Sequence, residues 1–539
     1  MTEKTRAADA IAAVLHAHGV RHAFGMPGGE VLTLLDGLRA AGIAFHLARH
    51  ETAAAIMAAG VHAATGAPGL LLTTIGPGLA NAVNGILDAA QERVPLIVLS
   101  GVVDRSVRGR FTHQVLDQAA LLRAVVKASF EVEPETAADV VTRALRLALT
   151  PPMGPVHIDV SPETAAALAR VPSLEPARVG TPVPSTADPL LASVRAALAA
   201  AERPLVIAGL EAARGGCEGV LTALAERIGA PVLTTYKAKG VISEDHPLAL
   251  GGAGLSPAAD RVLLDLVGRA DRVLMLGYDP IEMRIGWLDP VADPARTIEI
   301  GAARPDHGMH HAGTVVAADP AAALDVLLDG LPRKAGWPGG EPAEARRALQ
   351  RTFSAEGRGW GPHAVIATLS AVAGEDAIVT VDSGAHRILL SQMWTARRPL
   401  RLLQSAGLCT MAGALPLAIG AKVAAPDRRV FAVMGDGGLE MCLGELATLR
   451  DTGHPVVVVV FQDESLALID LKQRALQLSR AGVALGATDF AAIADATGGV
   501  GRTVRTARDL VAELSAAVVR DTFSLIACRF DADAYQDAF

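Results

Sequence analysis

A strand-like run closing on Gly435, Asp436, Gly437 and Gly438, within VFAVMGDGGLEMCLGELATL, leads directly into a helical pattern. Glycines at such a turn let a diphosphate approach the backbone, and the first turn of the helix adds free N–H donors and a favourable dipole. Asp436 contributes a hard oxygen ligand suited to Mg²⁺. Twenty-seven residues on, after one helical segment and the run PVVVVVF, FQDESL carries Asp463 to the end of a second strand and so back to the same sheet edge. Two carboxylates and a loop carbonyl, for example that of Ser465, can hold Mg²⁺ against a diphosphate. A GDG turn alone is a weak signal, since such turns also cap helices. A strand before each member and a second Asp at this distance make the pair far more specific.

The elements that must position these residues are legible as alternating short β-branched runs and Ala/Leu-rich helical stretches, the sequence form of βαβ units. Strands are expected at 70–74, 96–100, 156–160, 205–208, 273–276, 378–381, 430–434 and 456–461. PVVVVVF is apolar on both faces, which suits a central strand covered on each side by helices. At 539 residues the length predicts about three to four domains. Two breaks interrupt the apolar pattern, the five-proline stretch 169–189 and the stretch 332–347. The expectation is therefore an α/β protein of three domains, 1–168, 190–331 and 348–539, each a mostly parallel sheet covered by helices. Blocks one and three are alike in length and pattern, so two domains of like fold should flank a different middle one.

Composition removes several classes. Apolar residues are 51% and charged residues 20%, which excludes disorder as the main state. Forty-nine basic against 57 acidic residues, a net of -8 with no dense basic run, give no footprint for nucleic acid or an anionic membrane. Cys217, Cys409, Cys442 and Cys528 are scattered, without CxxC, and read as reduced, buried thiols. The first residues have no basic segment followed by an apolar one, and no run approaches 18 apolar residues, so a cytoplasmic protein is expected. No GxGxxG follows a strand with an acidic residue about 20 positions later, which disfavours a nicotinamide dehydrogenase.

GDG followed at this spacing by Asp resembles the metal and diphosphate motif of thiamine diphosphate enzymes. FGMPGG (24–29), RHE (49–51), TTIGPGLANAVNGILDA (73–89), GPVHIDV (154–160), RPLVIAG (203–209), VDSGAH (381–386) and GLCTMAGALPLAIGA (407–421) extend the likeness over nearly the whole chain. In that order they resemble the acetohydroxyacid (acetolactate) synthase, pyruvate oxidase and benzaldehyde lyase superfamily. The three blocks then correspond to aminopyrimidine-binding, central and diphosphate-binding domains.

The resemblance implies roles that the residues alone leave open. Glu51 opens a helix, where an N-cap is the plain reading. In the family a carboxylate here bonds N1′ of the cofactor and favours the imino form that takes the thiazolium C2 proton. Met411 would be the apolar wedge that bends the cofactor, as against simple core filling. The Cys409 carbonyl and Met411 N–H would bind the aminopyrimidine edge, leaving the Cys409 thiol incidental. Gly384 and His386 look like the second diphosphate-binding turn. Gln114 aligns with a glutamine facing the reacting centre. His113 stands where synthases often carry Phe and decarboxylases a histidine, either a proton relay or an ordinary surface group. Gly28 and Gly29 would leave room above C2, with Glu30 at the pocket edge or solvated in the first helical turn. Lys472 falls near a substrate-selecting position, where a cation could take a second carboxylate, or lies on a solvated helix face.

Two departures bear on the cofactors. Asp463 replaces the commoner Asn, keeping an oxygen ligand, and Gln462 replaces a smaller residue before it. GYDPIEMRIGW (277–287) lacks the arginine-plus-acidic pattern of flavin-binding synthases, so thiamine diphosphate and Mg²⁺ are expected and FAD is not. The leading expectation is a lyase or carboligase that decarboxylates a 2-oxo acid and joins the remainder to a second carbonyl. Simple decarboxylation and acyloin cleavage are the alternatives in the same chemistry, and a non-enzymatic cofactor-binding paralogue is disfavoured by Glu51, Asp436 and Asp463. The resemblance also implies a homodimer or homotetramer with its active sites at the dimer interface, acting on a 2-oxo acid or acyloin.

Overall fold

The computed structural model describes residues 4–170, 175, 180–305, 307–536 and 538–539, so part of the first proline-rich break lies outside the described residues. The β-branched runs become strands of three six-stranded sheets, every neighbouring pair parallel. The first sheet holds His22–Met26, Ala44–Leu47, Gly69–Thr73, Leu96–Gly101, Ser129–Glu131 and Val156–Val160. The third holds Ile378–Val381, Leu402–Gln404, Val430–Gly435, Val457–Gln462, Val500–Val504 and Ser524–Arg529. Counted along their own chains, both follow the order 2-1-3-4-6-5. The middle sheet, Pro204–Ala208, Val232–Thr234, Ala249–Gly252, Arg272–Leu276, Thr297–Gly301 and Thr314–Ala317, runs 3-2-1-4-5-6. Two like domains thus flank a different one, each with a topological switch point where neighbouring strands send their connections in opposite directions. A short antiparallel pair, Lys4–Arg6 with Leu168–Arg170, brings the two ends of the first unit together. The second break is not all loop, because the helix Glu341–Thr352 begins inside it, with Pro342 in its first turn where a missing N–H costs nothing.

Val457–Gln462 is buried throughout, as its sequence demands. Val457, Val459 and Phe461 join the apolar cluster shared with the middle domain, while Val458 and Val460 join the one shared with the first. The first and third domains therefore have a common core. Its centre is the crossing of helices Glu51–Thr65 and Ala414–Ala424, both rich in small residues. A Cβ on Gly420 would stand 1.8 Å from the Met57 carbonyl oxygen, and one on Gly60 would stand 2.3 Å from that of Leu417. Only glycine permits this approach. Helix Pro77–Gln91 lies beside Glu51–Thr65 and ends at the junction of all three domains. There Glu92 pairs with Lys237, Arg93 bonds Asp279 at 2.8 Å, and Arg214 donates to the Arg93 carbonyl at 2.6 Å.

Candidate active site

In the third sheet the switch point lies between Ile378–Val381 and Val430–Gly435, and the predicted phosphate and metal residues gather at its C-terminal edge. The loop after the first of these strands holds Asp382, Ser383 and Gly384, and the helix Ala385–Met393 follows it. The second strand runs into Asp436–Glu440, so Gly435, Asp436, Gly437 and Gly438 open a helical turn as expected. Gly384, His386, Cys409, Met411, Gly435, Asp436, Gly437, Gly438, Asp463, Ser465 and Lys472 all line one cavity of about 650 Å³. Leu255, Pro257 and Arg284 of the middle domain close part of its wall.

The two carboxylates are coupled through the backbone. Asp436 Oδ2 accepts from the N–H groups of Asp463 (3.0 Å) and Glu464 (2.6 Å), and its Oδ1 accepts from Gly437 (2.8 Å). Asp463 Oδ1 accepts from the Ser465 N–H at 3.0 Å. Burial raises the Asp436 carboxyl, and burial together with the Asp436 charge pushes Asp463 up to about 8. Two ionised carboxylates in one poorly solvated place repel each other, and a divalent cation removes that penalty. Among the described residues no three His, Cys, Asp or Glu side chains cluster to hold a metal, so a cation here needs backbone, ligand or water oxygens as well.

Unmatched polar atoms point to an anion beside that cation. His386 Nε2 and Ser465 Oγ are buried without a hydrogen-bond partner. Burial and the neighbouring Arg387 push the His386 imidazole down to about 3, so the ring is neutral at pH 7 and can donate a single N–H. A Cβ on Gly438 would stand 2.0 Å from Asp382 Oδ2, so that glycine lets Asp382 reach across the floor of the site. This donor set fits a diphosphate held with a divalent metal.

Asp382 is the residue that the sequence reading missed. It is 1% exposed, its oxygens accept from the N–H groups of Ala412 (3.0 Å) and Gly413 (2.9 Å), and burial raises it to about 6. It thereby pins the turn bearing Cys409 and Met411 to the phosphate loop. The only signal was its place in VDSG, two residues before Gly384. The Cys409 carbonyl accepts from Ser383 Oγ at 2.7 Å, which uses one of its two lone pairs. Cys409 is half-buried, a correction to the expectation of four buried thiols; Cys217, Cys442 and Cys528 are buried, and all four are free.

The remaining predicted residues assemble elsewhere. Glu51 is 5% exposed and accepts from Asn81 Nδ2 at 3.1 Å. It is not the helix cap, because the His50 side chain accepts from the Thr52 N–H instead. Gly28 packs where a Cβ would stand 2.2 Å from Thr74 Oγ1, and Thr74 donates to Glu30 at 2.7 Å; Glu30 is thus half-buried and bonded. Gly29 faces open space. His113 and Gln114 are exposed on a loop beside Phe111, and Gln114 has φ 58°. None of Gly28, Glu30, Glu51, His113 or Gln114 lines the cavity of the third domain. They surround the switch point of the first sheet. The candidate residues of a single chain therefore fall into two separate groups.

Three family models match the chain. The thiamine pyrophosphate enzyme N-terminal TPP-binding, central and C-terminal TPP-binding domains match residues 5–121, 191–327 and 382–528. The chain belongs to the thiamine pyrophosphate enzymes and is a thiamine diphosphate-dependent enzyme. Within that family it is similar to acetolactate synthases. It is 30% identical to the acetolactate synthase isozyme 3 large subunit of Escherichia coli (strain K12), over 96% of this chain and 92% of the relative. It is 29% identical to the acetolactate synthase of Bacillus subtilis (strain 168), over 93% and 89%. The catabolic acetolactate synthase of Raoultella terrigena is 28% identical over 97% and 95%. Among the described residues no helix is long and apolar enough to cross a membrane.

Proposed function

We propose that this enzyme is a Mg²⁺-dependent carboligase that decarboxylates a 2-oxo acid and joins the product to a second carbonyl, with 2-acetolactate formed from two molecules of pyruvate. The observation that carries the reading is a cavity lined by His386, Asp436, Asp463 and Ser465 together with a separate buried carboxylate, Glu51, in a chain similar to acetolactate synthases over nearly its full length. Bound thiamine diphosphate supplies the carbon nucleophile and the electron sink for loss of CO₂. Asp436, Asp463 and the Ser465 carbonyl would hold the metal. Gly384, His386, Gly435, Gly437 and Gly438 receive the diphosphate, His386 as a neutral donor. The Cys409 carbonyl and Met411 N–H would hold the aminopyrimidine edge, with the Met411 side chain as the apolar support beneath the cofactor.

Glu51 holds a proton at the aminopyrimidine N1′, and Gln114, with His113 near it, faces the reacting carbon. Because these residues do not reach the cavity of their own chain, the working site takes Glu51 from a second copy, and the enzyme acts as a homodimer or a dimer of dimers. Apolar side chains left exposed at both half-sites support that pairing: Leu32, Phe111 and Val115 on one, Met441, Ile469 and Leu476 on the other. Lys472, exposed on the rim of the cavity, offers a cation to the carboxylate of an acidic substrate.

The test is to mix the purified protein with thiamine diphosphate, Mg²⁺ and a panel of 2-oxo acids led by pyruvate, quench in acid, and identify products by NMR. Acetolactate is the expected product. Aldehyde alone would replace the carboligase reading with a decarboxylase, and no turnover of any 2-oxo acid would end it in favour of acyloin or other acyl donors.

A further inference from the structure

The turn from Ser405 to Gly413 holds two non-glycine residues at positive φ, Cys409 at 56° and Ala412 at 68°. Such residues persist only where their surroundings over-determine them. Ala412 is fixed from within its own domain, by the bonds from its N–H and that of Gly413 to Asp382. Cys409 is held from its own domain at its carbonyl, by Ser383 Oγ, and at its N–H by a tie that reaches the first domain. Its N–H donates to Ser405 Oγ at 3.0 Å, and the Ser405 hydroxyl in turn donates to Asp88 Oδ1 on helix Pro77–Gln91 of the first domain. One hydroxyl can do both, since it has lone pairs to accept with and one proton to give.

Asp88 belongs to a polar stripe. Asn84, Asp88 and Glu92 follow one another at intervals of four along the same helix face, and each reaches the turn. Asn84 Nδ2 donates to Thr410 Oγ1 at 2.9 Å, and Glu92 Oε1 accepts from the N–H groups of Ala406 and Gly407, both at 2.8 Å. Asp88 and Glu92 are 5% and 7% exposed, so neither contact is a loose surface pairing. Neither residue lines the cavity that holds Met411.

We propose that Asp88, acting through Ser405, is a positioning residue that sets the left-handed Cys409 and thereby aims the Cys409 carbonyl and Met411. The inference rests on the reading of that turn as the aminopyrimidine cradle. Asn84 and Glu92 tie the rest of the turn to the first domain, and Ser405 is the link that passes Asp88 on to Cys409.

The test compares Ser405→Ala and Asp88→Ala with the unaltered enzyme by three measurements. These are thiamine diphosphate affinity by calorimetry, the rate of C2–H exchange of bound cofactor in D₂O by acid-quench NMR, and a crystal structure of each variant without cofactor. The expected result is exchange slowed roughly 10- to 100-fold, because small misplacements of a reacting group act on rate. Affinity should change less than about threefold, because the diphosphate and metal residues are untouched. Cys409 should leave the left-handed region in the crystals. Should Ser405→Ala not fold, Asp88→Ala, altered on the other domain, carries the same expectation. Wild-type exchange rates with Cys409 still at positive φ would overturn the proposal. Failure of the unaltered enzyme to bind the cofactor or to accelerate exchange would instead overturn the reading beneath it, and the proposal with it.

Discussion

The first and third domains share one strand order, yet their switch points have become opposites. In the third, the loops after Ile378–Val381 and Val430–Gly435 are crowded with buried acids, glycines and unmatched donors around a cavity. In the first, the equivalent loops after His22–Met26 and Gly69–Thr73 carry Gly28, Glu30 and Thr74, with Glu51 close by and an exposed loop bearing His113 and Gln114. One copy of the fold lines a cavity with acids and unmatched donors, and the other buries a lone carboxylate, Glu51. The lesson is that a topology supplies a crevice, while the side chains at its rim decide what the crevice is for.

The largest test of this contrast is to remove each half in turn. Glu51→Gln should lower turnover by about 10²- to 10⁴-fold while cofactor affinity stays within a few-fold, since the group lost handles a proton. Asp436→Ala should abolish retention of cofactor and metal together, which calorimetry separates from the first outcome. Equal loss of binding in both variants would erase the division of labour. Next in size is a pH effect. Asp463, raised to about 8, and Asp436, also raised, must be ionised to take a cation, so Mg²⁺ binding should release protons. Affinity should weaken by roughly tenfold per pH unit below that value, and calorimetry in two buffers of different ionisation enthalpy counts the protons.

A smaller effect sharpens the geometry. Glu51→Gln and Asp436→Ala proteins, each inactive, should regain about a quarter of wild-type activity when mixed and allowed to exchange subunits, because half the dimers then hold one intact site. Absence of recovery in a mixture shown to contain mixed dimers would put both halves in one chain. Smallest is Gly420→Ala, which drives a methyl group into the Met57 carbonyl. It should destabilise the protein by about 1–3 kcal/mol, read as a fall of a few degrees in melting temperature, without changing which half-site binds cofactor.

Much of this was legible in the residues. PVVVVVF announced a central strand because alternate valines had to face two different cores, and they do. The 27-residue interval from Asp436 to Asp463 predicted adjacent strand ends, now seen in a direct contact of 3.0 Å. The like outer blocks and the different middle one also followed from pattern. What stayed hidden shares a physical cause, namely dependence on partners far away in the chain. Glu30 meets Thr74 across 44 residues, and Asp88 meets Ser405 across 317. On a helix whose other face packs inward, Asn84, Asp88 and Glu92 have the periodicity of a solvated stripe, and nothing local distinguishes that from a buried one. The separation of Glu51 from the cavity was implied only by resemblance, since sequence carries no record of which copy supplies a residue.

The crossing of Glu51–Thr65 with Ala414–Ala424 also has a bearing on how this protein can be taken apart. Two helices whose backbones touch at Gly60 and Gly420 have no side-chain layer to slide on, and the apolar cluster around them belongs to neither domain alone. A gene cut between the three sheets would therefore yield fragments with an open hydrophobic wound, prone to aggregate before any chemistry could be assayed. The domains are separable as patterns of strands but not as pieces of matter.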